Sequence, residues 1–167
     1  LACRYALLKQ PDLAIVTLRK AVELGYRDFR YMLEDHDLDS IRKDPRFRHH
    51  QIEAVWPYRT VGATRPALLA ELLGCGEHHA RAAATQQLRY WHAQLPDAVE
   101  LLRHSANDPH AFVRMEAAIA ATYIGTKPAL DALLDVAKHP REGHLDYAFK
   151  CALGSHTMRS LWEGNSD

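Results

Sequence analysis

The chain has no surplus of either charge: 21 Lys and Arg stand against 21 Asp and Glu. Binders of nucleic acid or anionic membrane show a basic excess, so this balance argues against a dedicated member of either class. Uncharged runs stop far short of the roughly 20 apolar residues that a membrane helix needs. Cysteine is scarce. Cys3, Cys75 and Cys151 form no CxxC, CxxCH or zinc-ribbon spacing, and an odd count leaves at least one thiol unpaired within the chain. They read as small residues buried between helices, and they leave the redox compartment undecided. There is no Gly-x-Ser-x-Gly elbow, no phosphate loop and no dinucleotide fingerprint, so no catalytic residue and no cofactor is expected. Strand-type alternation is almost absent. No basic-then-apolar leader opens the sequence at Leu1, which reads as an excerpt of a longer or processed chain.

What remains is ordinary globular composition, 47% hydrophobic and 25% charged over 167 residues, enough for about one domain. Its dominant period is helical. Leu1 to Leu8 reads as one helix, Lys9-Gln10-Pro11 as a turn, and the stretch after it as a second helix packed antiparallel on the first. Leu13, Ile15, Val16, Leu18, Ala21, Val22 and Leu24 recur at three- and four-residue steps and are expected to form its buried face. Asp12 suits the positive end of its dipole, and Gly25 suits its end.

Ala2, Tyr5, Ala14, Leu18, Ala21 and the Gly25-Tyr26 stop together resemble the closing part of a tetratricopeptide repeat, in which small residues let helices approach and large ones fill the gaps. The following string, AVELGYRDFRYMLEDHDLDSIRKDPRFRHH, is similar to the segment that ends many bacterial tetratricopeptide arrays. That resemblance implies a cap in which Leu33, Leu38, Ile41 and Phe47 cover the open apolar end. The expected boundaries are a truncated repeat with capping helices over 1–55, a junction over 56–65 marked by Pro57 and Gly62, and helix pairs over 66–162, with 163–167 a tail.

Beyond the junction a second period begins. Pro66, Pro96 and Pro128 each open an apolar segment, and proline suits a first helical turn. Each segment is followed by an Ala-rich partner: Ala80 to Trp91, Phe112 to Ile124, and Leu145 to Leu153. Pairs at this spacing resemble HEAT repeats, most clearly in NDPHAFVRMEAAIAA, where Asp108, Pro109, Val113, Arg114, Ala117 and Ala118 fit the family's turn and second helix. The resemblance implies that Asp108, Arg114 and Arg81 hydrogen-bond between neighbouring repeats. The first repeat has Cys75 at the Asp position and the third has Ala148 at the Arg position, so an incomplete ladder is expected. Residues 78–162, through Arg89-Tyr90-Trp91, Leu95-Pro96-Asp97 and His144-Leu145-Asp146-Tyr147, are also similar to HEAT regions of large secreted proteins of planctomycete and verrucomicrobial type. Those are often fused to c-type haem or cupredoxin modules. The resemblance implies a periplasmic or other envelope location.

The sequence thus predicts an all-α solenoid of stacked antiparallel helix pairs, tetratricopeptide-like and then HEAT-like, acting as a non-catalytic scaffold for other proteins. Tyr90, Trp91 and Tyr123, near the ends of second helices, are the expected partner anchors. The alternative is the helical part of a larger redox enzyme whose haem or copper modules lie on other residues. A third reading uses Cys75, His78 and His79 as metal ligands with Glu77 as the candidate fourth, but a closed site needs four donors and adjacent side chains rarely converge on one ion. No metal site is therefore expected. The basic run Arg42 to His50 is offset by Asp35, Asp37 and Asp39 and reads as a solvated cap surface. Partner, binding face and oligomeric state are not written in the sequence.

Overall fold

The computed structural model describes residues 1–24, 26, 28–44, 46–47 and 64–164, without the side chains of Phe29, Arg30 and Leu33. The expected cap at Gly25, the Leu33 side chain, the stretch 48–55, most of the 56–65 junction and the last three tail residues lie outside that set. Among the described residues there are helices and turns and no strand. None of the helices is long and apolar enough to cross a membrane. The chain divides into two units, Leu1–Val61 and Gly62–Asp167.

In the first unit, α1 (Ala2–Leu7) and α2 (Pro11–Glu23) form a hairpin. Pro11 opens α2, where a missing N–H is no loss, and Lys9 makes the reversal in a left-handed conformation at φ 55°. Helix α3 (Phe29–Glu34) is capped by Asp28, whose carboxylate accepts the Tyr31 N–H at 3.0 Å. A 3-10 turn over His36–Leu38 is capped in the same way by Asp35. Ala6, Ala14, Ile15, Met32, Leu38, Ile41 and Phe47 make the core. The expected buried face of α2 was too wide. Ala14, Ile15 and Leu18 point inward, whereas Leu13, Val16 and Leu24 are exposed. At 100° per residue Val16 stands about 200° round the axis from Ala14, so one stripe cannot hold both.

The second unit stacks helix pairs. Helix α4 (Pro66–Leu73) pairs with α5 (His78–Trp91), α6 (Ala98–Ala106) with α7 (Ala111–Ile124), and α8 (Lys127–Val136) with α9 (Gly143–Leu153). The second helices α5, α7 and α9 pack side by side in one layer, and α6 packs on α8 in the other. Alanines at the seams (Ala80, Ala84, Ala117, Ala118, Ala120 and Ala121) are fully buried, and so let helix axes approach closely. Pro66 and Pro128 stand in the first turns of α4 and α8. Pro96 does not: a 3-10 turn over His92–Gln94 intervenes, and α6 starts after Asp97. A further helix, α10 (His156–Trp162), buries Met158 against α8 and α9. It arrives over Gly125, the left-handed cap of α7, where an added Cβ would lie 2.9 Å from the Thr157 methyl.

Candidate functional site

The turns that open the second helices are tied together by arginine. Asp108 lies in the turn before α7, buried. Its carboxylate accepts two bonds from Arg81 of α5, from Nε at 2.7 Å and from Nη2 at 3.0 Å, and a third from the His110 N–H at 2.8 Å. Arg81 Nη1 donates to the Cys75 carbonyl at 2.9 Å, so one guanidinium spans the turns of two consecutive helix pairs. Burial pushes the Asp108 carboxyl up, but Arg81 and the His110 N–H outweigh it and hold it below its ordinary value. The carboxylate in turn raises Arg81 above its own.

Arg114 repeats the arrangement one pair later with carbonyls in place of a carboxylate. Nη1 donates to the Asp108 and Pro109 carbonyls at 2.8 and 2.9 Å, and Nη2 reaches the Pro140 carbonyl at 3.0 Å. His139 Nε2 lies 3.0 Å from Asn107 Oδ1 across the same gap. The third turn has His139 where the second has Asp108, each just before a proline, and the ladder continues through the main chain.

A second rung was not foreseen. Arg89 of α5 pairs with Glu116 of α7, both largely buried. Burial raises the Glu116 carboxyl against the pull of Arg89. The signal was in the numbering: Arg81–Asp108 and Arg89–Glu116 are both 27 residues apart, and the second pair lies two helical turns further along.

The expected aromatic anchors divide. Tyr90 is 40% exposed and Tyr123 53%, their rings 6.3 Å apart and Arg89 5.8 Å above the Tyr123 ring. Trp91, at 2% exposure, is not on that surface. It belongs to the buried stripe of Ala80, Ala84 and Leu88 on α5, so its indole fills the core and offers nothing to a partner.

Between α7 and α9 runs an open groove of about 580 Å³, lined by Phe112, Met115, Ile119, His144, Tyr147, Ala148 and Cys151 among others. His144 is the one charged-type residue among its lining side chains. Tyr147 stands 72% exposed at its edge. The sequence reading missed this feature. Its signal is that α7 carries two apolar stripes: Val113, Ala117, Ala120 and Ala121 face inward, and Phe112, Met115 and Ile119 face the groove at steps of three and four.

Two clusters of metal-capable side chains occur among the described residues. In the first unit, Cys3, Asp35 and Asp37 meet, but the Cys3 thiol donates to Asp35 Oδ2 at 3.1 Å while Oδ1 accepts the Asp37 N–H at 3.0 Å. Burial and that carboxylate push the thiol pKa up, away from the thiolate a metal needs. In the second unit the cluster is Glu77, His78 and His79. Cys75 is not part of it, since its buried thiol turns to the Glu77 carbonyl at 3.4 Å.

Helix pairs in two layers, laced turn to turn and presenting a groove on the second helices, define an α-solenoid. The family model of HEAT repeats matches residues 65–148, just over half of the chain, and the chain belongs to the HEAT-repeat family. HEAT repeats are typically non-catalytic and commonly mediate protein interactions. No curated protein and no solved structure matches the chain.

Proposed function

We propose that the chain is a non-catalytic scaffold that docks another protein along the layer of second helices, on the groove between α7 and α9. The observation that carries this reading is the groove itself. Phe112, Met115, Ile119 and Tyr147 leave apolar surface in water on a platform whose helices are locked in register by buried arginine rungs. A soluble domain keeps such a patch for a partner, and a rigid platform loses little entropy on docking. Tyr90 and Tyr123 extend the surface as amphipathic anchors, and Asp108, Arg114 and Arg81 serve as inter-repeat structural residues.

The first unit, on this reading, is the closing end of a tetratricopeptide array (residues 1–55), followed by a junction over 56–65 and the HEAT pairs over 66–162. The spacing of Ala2, Tyr5, Ala14, Leu18 and Ala21 supports it, and Ala2, Ala14 and Leu18 lie in that unit's core. The setting we favour is a periplasmic or other envelope complex with redox proteins, supported by the resemblance of residues 78–162 to HEAT regions of that kind.

Affinity capture at native concentration and low salt, with mass spectrometry of what co-purifies, tests the reading when run beside Ile119→Glu. The wild-type chain is expected to retain a stoichiometric partner that Ile119→Glu loses while its helical circular dichroism is unchanged. Recovery of the wild type as a lone species, or equal capture by both, would overturn it.

A further inference from the structure

Glu77 sets up a cluster that the scaffold does not use. It is the N-cap of α5, with extended backbone, and its carboxylate folds back over the first turn to accept the His79 N–H at 3.0 Å and the Ala80 N–H at 2.7 Å. That same fold-back places Oε1 3.6 Å from His78 Nδ1. His78 and His79, the first two residues of the helix, have ring centroids 4.1 Å apart. One ligand atom from each of the three residues lies within 4.8 Å of the others. Consecutive side chains seldom converge in this way; here the capping carboxylate bridges the angle that the helix puts between the two rings.

The next repeat holds both rings from the other side. His110, the cap residue of α7, stacks on His78 with centroids 3.7 Å apart and planes 25° off parallel. Phe112 meets the edge of His79 at 5.7 Å. His110 Nδ1 accepts the Phe112 N–H at 3.3 Å, so this ring is committed to its own helix and positions His78 rather than joining it. The guanidinium of Arg81 one turn on is bound to Asp108, which leaves Glu77 as the anionic group of the cluster.

We propose that Glu77, His78 and His79 form a surface site for a divalent zinc-class ion, with His110 as its positioning residue. Two imidazole nitrogens and one carboxylate oxygen are borderline donors that suit Zn²⁺, and three protein ligands leave a position open for water. Bonds of about 2.1 Å put two ligands of one tetrahedral ion roughly 3.4 Å apart. The donors therefore close by no more than about 1.5 Å, a movement that side-chain rotation at the surface supplies. The positive end of α5 opposes a cation, and the Glu77 carboxylate lies over that end to offset it. No thiolate takes part, which separates this site from the Cys75, His78 and His79 set suggested by sequence.

Isothermal titration of the whole chain with ZnCl₂ tests the assignment, beside variants checked for unchanged helical circular dichroism. One equivalent of Zn²⁺ is expected to bind. His78→Ala and His79→Ala should each abolish stoichiometric uptake, and Glu77→Gln, which keeps a capping oxygen, should weaken it at least about 10-fold. His110→Ala should weaken it about 10- to 100-fold, as expected for a group that orients a ligand. Cys75→Ala should bind as the wild type does. Absence of stoichiometric uptake by the wild type, equal binding by the His78→Ala/His79→Ala double variant, or loss in Cys75→Ala would each overturn the site.

Discussion

In the first unit the ion pairs stand in water: Arg46 joins Asp12 at 2.8 Å and Asp44 at 2.7 Å, and Arg42 joins Asp39 at 2.9 Å, with most of these groups exposed. Beneath them lies a wholly apolar cluster built on Ile15, Met32, Leu38, Ile41 and Phe47. The second unit reverses this. Asp108, Arg114 and Glu116 are buried, and their partners Arg81 and Arg89 nearly so. Its seams are largely alanine, which fits helices closely but discriminates poorly between one register and the next. Buried charge with obligate partners supplies that discrimination, because a slip of one turn would strand each arginine. A unit that stacks equivalent helix pairs needs such marks; a hairpin with its own cap does not.

Asp108→Ala should do most to break this comparison. It strands Arg81 in a buried turn and removes the acceptor of the His110 N–H, so we expect a loss of about 3–5 kcal/mol in urea unfolding. A change below about 1 kcal/mol would mean that the rung adds nothing that packing does not already supply.

A smaller effect distinguishes charge from shape. The folded-state pKa of Asp108 is depressed, so its contribution is complete above the unfolded value of 3.8 and is lost as pH falls through the lower folded value. Wild type should therefore exceed Asp108→Asn in stability at neutral pH, and the gap should narrow only below about pH 4. A gap that stays constant down to pH 2 would assign the difference to hydrogen-bond geometry alone. The smallest effect belongs to the first unit. Arg46→Ala should shift the unfolding midpoint far less than Asp108→Ala, because Arg46 and Asp12 are well exposed and Asp44 alone of its partners is partly covered. A loss comparable to that of Asp108→Ala would erase the contrast between the units.

The repeat architecture was legible because it is periodic. Proline-led segments and alanine-rich partners mark helix pairs whatever packs on them, and Pro66 and Pro128 sit in first turns. Pro96 does not, since a 3-10 turn consumes the residues before it, and no periodicity signals that choice. The extra helix α10 escaped notice because seven residues with one buried Met158 carry little pattern. The solvent-facing Leu13, Val16 and Leu24 show the complementary error of reading apolarity as burial.

The candidate site was legible in pieces. Arg81, Asp108 and Arg114 stand at the spacing that carries the family resemblance, and the structure puts them in hydrogen-bond contact. Arg89–Glu116 at the same offset required pairing residues across repeats. Trp91 and Tyr90 are adjacent in sequence but 100° apart on α5, and that angle alone decides which is core and which is surface. Glu77, His78 and His79 stood out in the sequence as neighbours with metal-capable side chains, but their convergence depends on a carboxylate folding back over a helix end and on rings brought by the next repeat, which adjacency alone does not show.

Neighbouring repeats are locked through the guanidinium–carboxylate rung, and a double-mutant cycle on Arg81→Ala and Asp108→Ala measures that lock directly. We predict that the two losses fall short of additivity by at least about 1 kcal/mol, because either change alone already destroys the rung. Losses that add to within about 0.3–0.5 kcal/mol would contradict it, showing two residues that contribute separately and a stack held in register by something else.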